Sequence, residues 1–159
     1  MKGFAVFLDV DGVLNTRTTV ERSPEGYTGI DPLRVKVLAD VLSKYQGGDI
    51  ILVSDWKNMR AEAGDYAYLV SRLGQYGLAI SGKTDDNGPD RGAGVTKYLE
   101  EHPEIKEYVI LDDNKFDYGA NKKNWDRLLL TDGIEDVSYA SKTPAVEAML
   151  FYDFIRMVG

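Results

Sequence analysis

A three-layer α/β sandwich with a mostly parallel central sheet is the fold this sequence predicts. Short apolar runs alternate with stretches of helical periodicity along the chain, the pattern of strands joined by crossover helices. The 159 residues contain no internal repeat, low-complexity tract or linker, so residues 1–159 read as one domain, long enough to bury a core without staples. Three of the apolar runs stop abruptly, at Asp9-Val10-Asp11, Ser54-Asp55 and Asp112-Asp113. In an open parallel sheet such strand ends converge on one edge, where ligands bind.

The elements follow in order. Residues 3–10 form the first strand, a buried apolar run closed by a turn signal at Gly12. A polar stretch over residues 15–29 contains the turn signal Ser23-Pro24-Glu25-Gly26. Asp31-Pro32 opens a helix, Asp31 as N-cap and Pro32 in the first helical position. Leu33, Val37, Leu38, Val41, Leu42 and Tyr45 give that helix a core face, and Gly47-Gly48 ends it. Residues 49–53 form the second strand. A second helix occupies much of residues 58–76, with Gly64 a weak point and Gly77 a stop. Leu78-Ala79-Ile80 is a short third strand, and residues 81–94 are rich in Gly, Asp and Asn and read as a loop. Val95, Tyr98 and Leu99 mark the inner face of a third helix. Residues 108–111 and 128–130 are the fourth and fifth strands. Thr143-Pro144 caps a closing helix whose Val146, Met149, Leu150, Phe154 and Ile155 face the core.

Composition narrows the class of function. Hydrophobic content of 43% and charged content of 28% are ordinary for a soluble globular protein. A net charge of −7 opposes a polyanion, so no extended nucleic-acid-binding face is expected. The absence of cysteine excludes disulfides, thiol nucleophiles and cysteine-ligated metals. No secretory leader is expected from the first residues, and no apolar run nears the ~20 residues that span a bilayer. The expectation is a cytoplasmic protein without a membrane partner, a monomer or homodimer.

Asp9 and Asp11 are the sharpest chemical signal. Alternation along an extended chain points both the same way, and at ~4 Å with an effective dielectric of ~20 their repulsion is about 4 kcal/mol. A fold tolerates such a pair when a cation lies between the carboxylates or when one of them holds a proton for catalysis.

The ordered set Phe7-Leu8-Asp9-Val10-Asp11-Gly12-Val13-Leu14, Ile51-Leu52-Val53-Ser54 and Val109-Ile110-Leu111-Asp112-Asp113 resembles the first, second and fourth motifs of the haloacid dehalogenase (HAD) superfamily. Within it, Asp11-Gly12-Val13-Leu14-Asn15, Ser54-Asp55-Trp56-Lys57, Tyr108 to Asp113 and Thr131-Asp132-Gly133-Ile134 are most similar to the HAD domains of Swiss-army-knife RNA-repair proteins. The resemblance implies a HAD-like, Rossmann-like sandwich and a Mg²⁺-dependent phosphomonoester hydrolase. It makes Asp9 the nucleophile, Asp11 the general acid and base, and Ser54 a phosphate ligand aided by backbone amides around Gly12. Asp9, the Asp11 carbonyl, Asp112 and Asp113 would hold Mg²⁺. The basic residue of the third motif is Arg91 by preference, with Lys97 and Lys57 as alternatives. Asp55 either caps the next helix or joins the substrate-binding group. The substrate implied is a nucleotide, another small phosphate ester or a phosphorylated nucleic-acid end.

Other residues have plainer readings. Trp56 reads as packing, His102 as a helix-end cation, and Lys115, Lys122 and Lys123 as a solvated face. Asp117, Asp126 and Asp132 read as loop or cap residues, and Tyr66, Tyr68, Tyr76 and Tyr98 as core edge. Residues 15–30 form a flap whose roughly fifteen residues cannot build a cap domain, with Arg17, Arg22 and Tyr27 placed to touch substrate. The alternatives are a receiver-type signalling domain and a non-catalytic binding module. A receiver carries its phosphoacceptor on a later strand, whereas here the carboxylate pair heads the first.

Overall fold

Period-two alternation along the central strands sets the layers. The computed structural model describes residues 3–44, 48–60, 62–85, 90–114 and 116–130. Strand β1 (Phe4–Leu8) is buried at every position. Its Phe4, Val6 and Leu8 join one apolar cluster, with Val35, Leu38 and Leu42 of helix α1 (Pro32–Lys44) and Leu69 and Leu73 of helix α2 (Gly64–Gly74). Its Ala5 and Phe7 join a second cluster, with Val95 of helix α3 (Arg91–Glu101). Two clusters on opposite faces of one sheet make three layers, as predicted.

The sheet has five strands in the order β3-β2-β1-β4-β5, all neighbours parallel. Strand β2 spans Asp49–Leu52, β3 Ile80–Lys83, β4 Glu107–Asp112 and β5 Leu128–Leu130. The chain leaves β1 toward β2 and β3 and then crosses to β4, so the order reverses between β1 and β4. Open α/β sheets hold ligands in the crevice beyond such a reversal. Pairing persists past the strands: the amides of Asp9 and Val53 donate to Leu111 and Leu8 carbonyls at 2.9 Å.

Several expectations shift. Leu33 is 62% exposed and Val35 fully buried, so the core face of α1 runs through Val35, Leu38 and Leu42; the side chains of Val41 and Tyr45 and the Gly47 stop lie outside the described residues. Asp31 does cap α1, accepting the Leu33 amide at 3.0 Å. Helix α2 falls within the expected residues 58–76 but starts only at Gly64, expected as a weak point inside it, and residues Asp55–Asn58 form a 3₁₀ turn capped by Ser54. Strand β3 is Ile80–Lys83 rather than residues 78–80. Its polar Ile-Ser-Gly-Lys is an edge strand, half buried, with a register shift against β2. A short helix α4 (Lys122–Asp126), capped by Asn121, was not anticipated. The closing helix, Lys115, Asp132 and residues 131–134 lie outside the described residues.

Residues 15–30 carry no cap domain. They form a hairpin with an antiparallel bridge between Arg22 and Thr28, turning at Gly26 with φ +91°. Helix α2 anchors it: buried Asp65 accepts the Ser23 hydroxyl at 2.8 Å and the Glu25 amide at 3.0 Å. The Tyr68 hydroxyl accepts the Ile30 amide at 3.1 Å. No described helix is long and apolar enough to cross a membrane.

Candidate active site

The alternation that builds the layers also aims the carboxylates. Tyr108 and Ile110 of β4 belong to the cluster on the α3 face, as do Ala5 and Phe7 of β1, so Asp112 and Asp9 continue those rows toward the N-terminus of α3. Arg91, the first residue of α3, meets them there. Its Nη1 lies 2.9 Å from Asp112 Oδ2 and 3.2 Å from Asp9 Oδ1, and its Nη2 lies 3.6 Å from exposed Asp55. Asp113 adds a third carboxylate, and one oxygen from each of Asp9, Asp112 and Asp113 falls within 4.8 Å of the others.

Gly12 makes room for this loop pair. It adopts φ +86°, a conformation that favours glycine, and a Cβ there would overlap the Asp113 carboxylate. Its amide donates to Asn15 Oδ1 at 3.0 Å, so Gly12 shapes the loop through its conformation.

Burial raises the electrostatic stakes. Asp9 is 3% exposed, and desolvation together with the Asp112 charge pushes its pKa up to about 9 against the opposing pull of Arg91. Burial and Asp112 likewise raise Asp113. For Arg91, burial is outweighed by Asp9 and Asp112, which hold the guanidinium firmly charged. One arginine therefore does not compensate the cluster. Buried, clustered hard oxygens with excess negative charge fit a divalent cation such as Mg²⁺.

Asp112 is the best-held member. Tyr118, fully buried, donates its hydroxyl to Asp112 Oδ2 at 2.7 Å, and the Asn114 amide donates to Oδ1 at 2.9 Å. Burial and the adjacent Asp112 raise the Tyr118 pKa, which keeps the phenol a donor. Nothing in the sequence pointed to Tyr118, one of two aromatics in the short polar stretch after β4.

Asp11 stands apart from the cluster. Its Oδ2 accepts the Trp56 indole N–H at 3.2 Å and its Oδ1 accepts Asn15 Nδ2 at 2.9 Å. Asn15 is buried and also donates to the Gly29 carbonyl, tying Asp11 to the base of the hairpin. Trp56 is 5% exposed and packs as expected, but its indole nitrogen has a polar task that residue type alone did not reveal. Ser54, 2% exposed, caps the following turn by accepting the Trp56 amide at 3.2 Å.

The three basic candidates separate in space. Arg91 lies on the carboxylates. Lys97 reaches exposed Asp85 at 3.1 Å instead. Lys57 is buried and donates to the Val53 carbonyl and the Thr84 hydroxyl, both at 3.1 Å, bracing the ends of β2 and β3. His102 caps α3 as expected, with its ring stacked on Tyr98 at 3.9 Å.

A cleft of about 590 Å³ opens beside Asp11, between the hairpin and the turn after β2. No curated protein matches the sequence. Residues 5–137 match the family described as the HAD domain in Swiss Army Knife RNA repair proteins, which covers both aspartate pairs, Ser54 and Arg91, and the chain belongs to that family.

Proposed function

We propose that the protein is a Mg²⁺-dependent phosphomonoester hydrolase working through a phosphorylated Asp9, with a nucleotide or the phosphorylated end of a nucleic acid as substrate. The observation that carries this reading is the division of labour among carboxylates. Asp9, Asp112 and Asp113 converge on one point, while Asp11 is turned aside and held by Trp56 and Asn15. A site that only bound a cation would have no need of this fourth, separately oriented acid. The family description, which speaks of RNA-repair proteins, supports the nucleic-acid end among the substrates.

Asp9, Asp112 and Asp113 would hold the metal, which when bound supplies positive charge for the carboxylates and the phosphoryl oxygens. Asp9 Oδ attacks phosphorus, and the bond from phosphorus to the alcohol oxygen breaks. Asp11, carrying a proton, gives it to that departing oxygen and is left as a carboxylate. It then takes a proton from water as the water oxygen attacks phosphorus, releasing inorganic phosphate and restoring both aspartates. Arg91 steadies the phosphoryl oxygens. The Ser54 hydroxyl already accepts the Trp56 amide, so its own hydrogen is free to donate to a phosphoryl oxygen.

The test compares wild type with Asp9→Asn on nucleotides, sugar phosphates and 3′- or 5′-phosphorylated oligonucleotides, with and without Mg²⁺. The expected result is hydrolysis by wild type that requires Mg²⁺ and disappears in the variant. Equal rates for the two proteins on the best substrate would defeat the mechanism.

A further inference from the structure

The cleft beside Asp11 is bounded by Asp11, Asp55, Trp56 and Met59 from the loops after β1 and β2, and by Glu25 and Tyr27 from the hairpin. Neither Arg91 nor any of Asp9, Asp112 and Asp113 lines it. With Asp11 as the residue that protonates the departing oxygen, the cleft adjoins that oxygen and does not include the three clustered carboxylates. Whatever is attached to that oxygen has this space beside it, and an open cleft of about 590 Å³ has room for one small organic ligand.

Two features of the walls define that ligand. Tyr27, Trp56 and Met59 supply two aromatic rings and a thioether, and Tyr27 is 68% exposed, which leaves it accessible for stacking. Among the described residues no lysine or arginine lines the cleft, whereas Glu25 and Asp55 bring carboxylates to it. A second phosphate held there would find no lysine or arginine among the lining residues, and the nearby guanidiniums of Arg91 and Arg22 already engage Asp55 at 3.6 Å and Thr28 at 3.4 Å. The backbone that carries Tyr27 is also held in place. Asp65 grips the Ser23 hydroxyl and the Glu25 amide, and the Tyr27 amide donates to Ser23 Oγ at 3.1 Å.

We propose that this cleft receives the alcohol half of the ester and selects a planar, uncharged one without further phosphates, a single nucleoside, with Tyr27 as the stacking residue. The inference rests on the hydrolase reading of the adjoining carboxylates. It separates two substrates that the hydrolase reading leaves together, a mononucleotide and a phosphorylated polynucleotide end, in favour of the first.

The experiment measures kcat/KM with Mg²⁺ for adenosine 5′-monophosphate, a short 5′-phosphorylated oligoadenylate and glycerol phosphate. Wild type should prefer the mononucleotide to both others by about tenfold or more, the scale of one base stacked on an aromatic ring. Tyr27→Ala should lower the ratio of mononucleotide to glycerol phosphate by about tenfold, mainly through KM, and Tyr27→Phe should keep it. An oligoadenylate hydrolysed as well as the mononucleotide, or an unchanged ratio in Tyr27→Ala, overturns the proposal. If wild type hydrolyses none of the three, the hydrolase reading fails by itself. The cleft is then judged by titrating adenosine 5′-monophosphate and the oligoadenylate against tryptophan fluorescence. Tighter mononucleotide binding that Tyr27→Ala weakens supports the proposal, and equal binding of the two, or no effect of Tyr27→Ala, overturns it.

Discussion

Asp11 is gripped through both carboxylate oxygens by neutral donors, the Trp56 indole and the Asn15 amide. A hydrogen bond contributes about 0.5–1.5 kcal/mol, and here the two together fix one orientation of the Asp11 carboxyl group. Trp56→Phe keeps most of the packing and removes the indole donor. It should lower kcat by about tenfold, by the strength of one such bond, with KM nearly unchanged in steady-state kinetics. An unaltered kcat would mean that the indole only packs. Gly12→Ala meets a positive φ that disfavours a side chain by about 1–2 kcal/mol and an overlap with Asp113. It should weaken Mg²⁺ binding, read by isothermal titration, more than it lowers the melting temperature relative to an exposed control such as Gly74→Ala, which meets no neighbour. At this scale the cluster of Asp9, Asp112, Asp113 and Arg91 was legible because its members sit at strand ends or at a helix start, positions that sequence spacing reports. Trp56, Asn15 and Tyr118 were not legible as partners. Their roles depend on which carboxylate the folded chain brings to their polar atoms, and no periodicity carries that information.

Among the elements, the hairpin between β1 and α1 departs furthest from the expectation of a simple polar flap. Its turn chemistry was readable, but its anchorage on α2 was not, since Asp65 lies about forty positions away in sequence from the Ser23 and Glu25 groups that it holds. Asp65 is fully buried, and removing a buried acceptor strands the donors at about 1–3 kcal/mol. Asp65→Ala should therefore speed amide hydrogen exchange at Glu25 and Tyr27 by tenfold or more, on the order of that loss, while exchange in β1 stays slow. Equal protection in variant and wild type would show that the hairpin holds itself. The edge strand β3 was misplaced for a related reason. Ile80–Lys83 is joined to the sheet by backbone pairing with β2 and is only half buried, so hydrophobicity drew the expectation to the apolar residues just before it. Helix α2 lies within the range expected for it, and Gly64, expected as a weak point, is its first residue.

For the molecule as a whole, the parallel sheet, its three layers and the convergence of strand ends were all contained in the alternation of apolar runs and helical stretches. Only the strand order and the reversal between β1 and β4 had to come from the structure. That reversal puts three carboxylates together at a buried edge and couples ionisation to stability. The native state holds a proton on Asp9 up to about pH 9, whereas the ordinary carboxylate value is 3.8. Through that window the native chain binds more protons than the unfolded one, so the contribution of Asp9 to the stability of the metal-free protein declines as pH rises. Mg²⁺ held by the cluster would replace the proton, and its affinity should rise with pH. The gain in melting temperature from Mg²⁺ should accordingly be larger at about pH 8 than at about pH 6, and Asp9→Asn should remove most of that pH dependence. A Mg²⁺ effect independent of pH would place the cation elsewhere.

The central claim, that Asp9 carries the phosphoryl group, is tested most directly by acid-quenching the reaction within one turnover and mapping the modified peptide by mass spectrometry. The account predicts one phosphoryl group on Asp9 of the wild-type protein, none in Asp9→Asn, and a longer-lived adduct in Asp11→Asn, which has lost the base for hydrolysis. Turnover by wild type with no phosphoryl adduct, or with the group on any other residue, would contradict it.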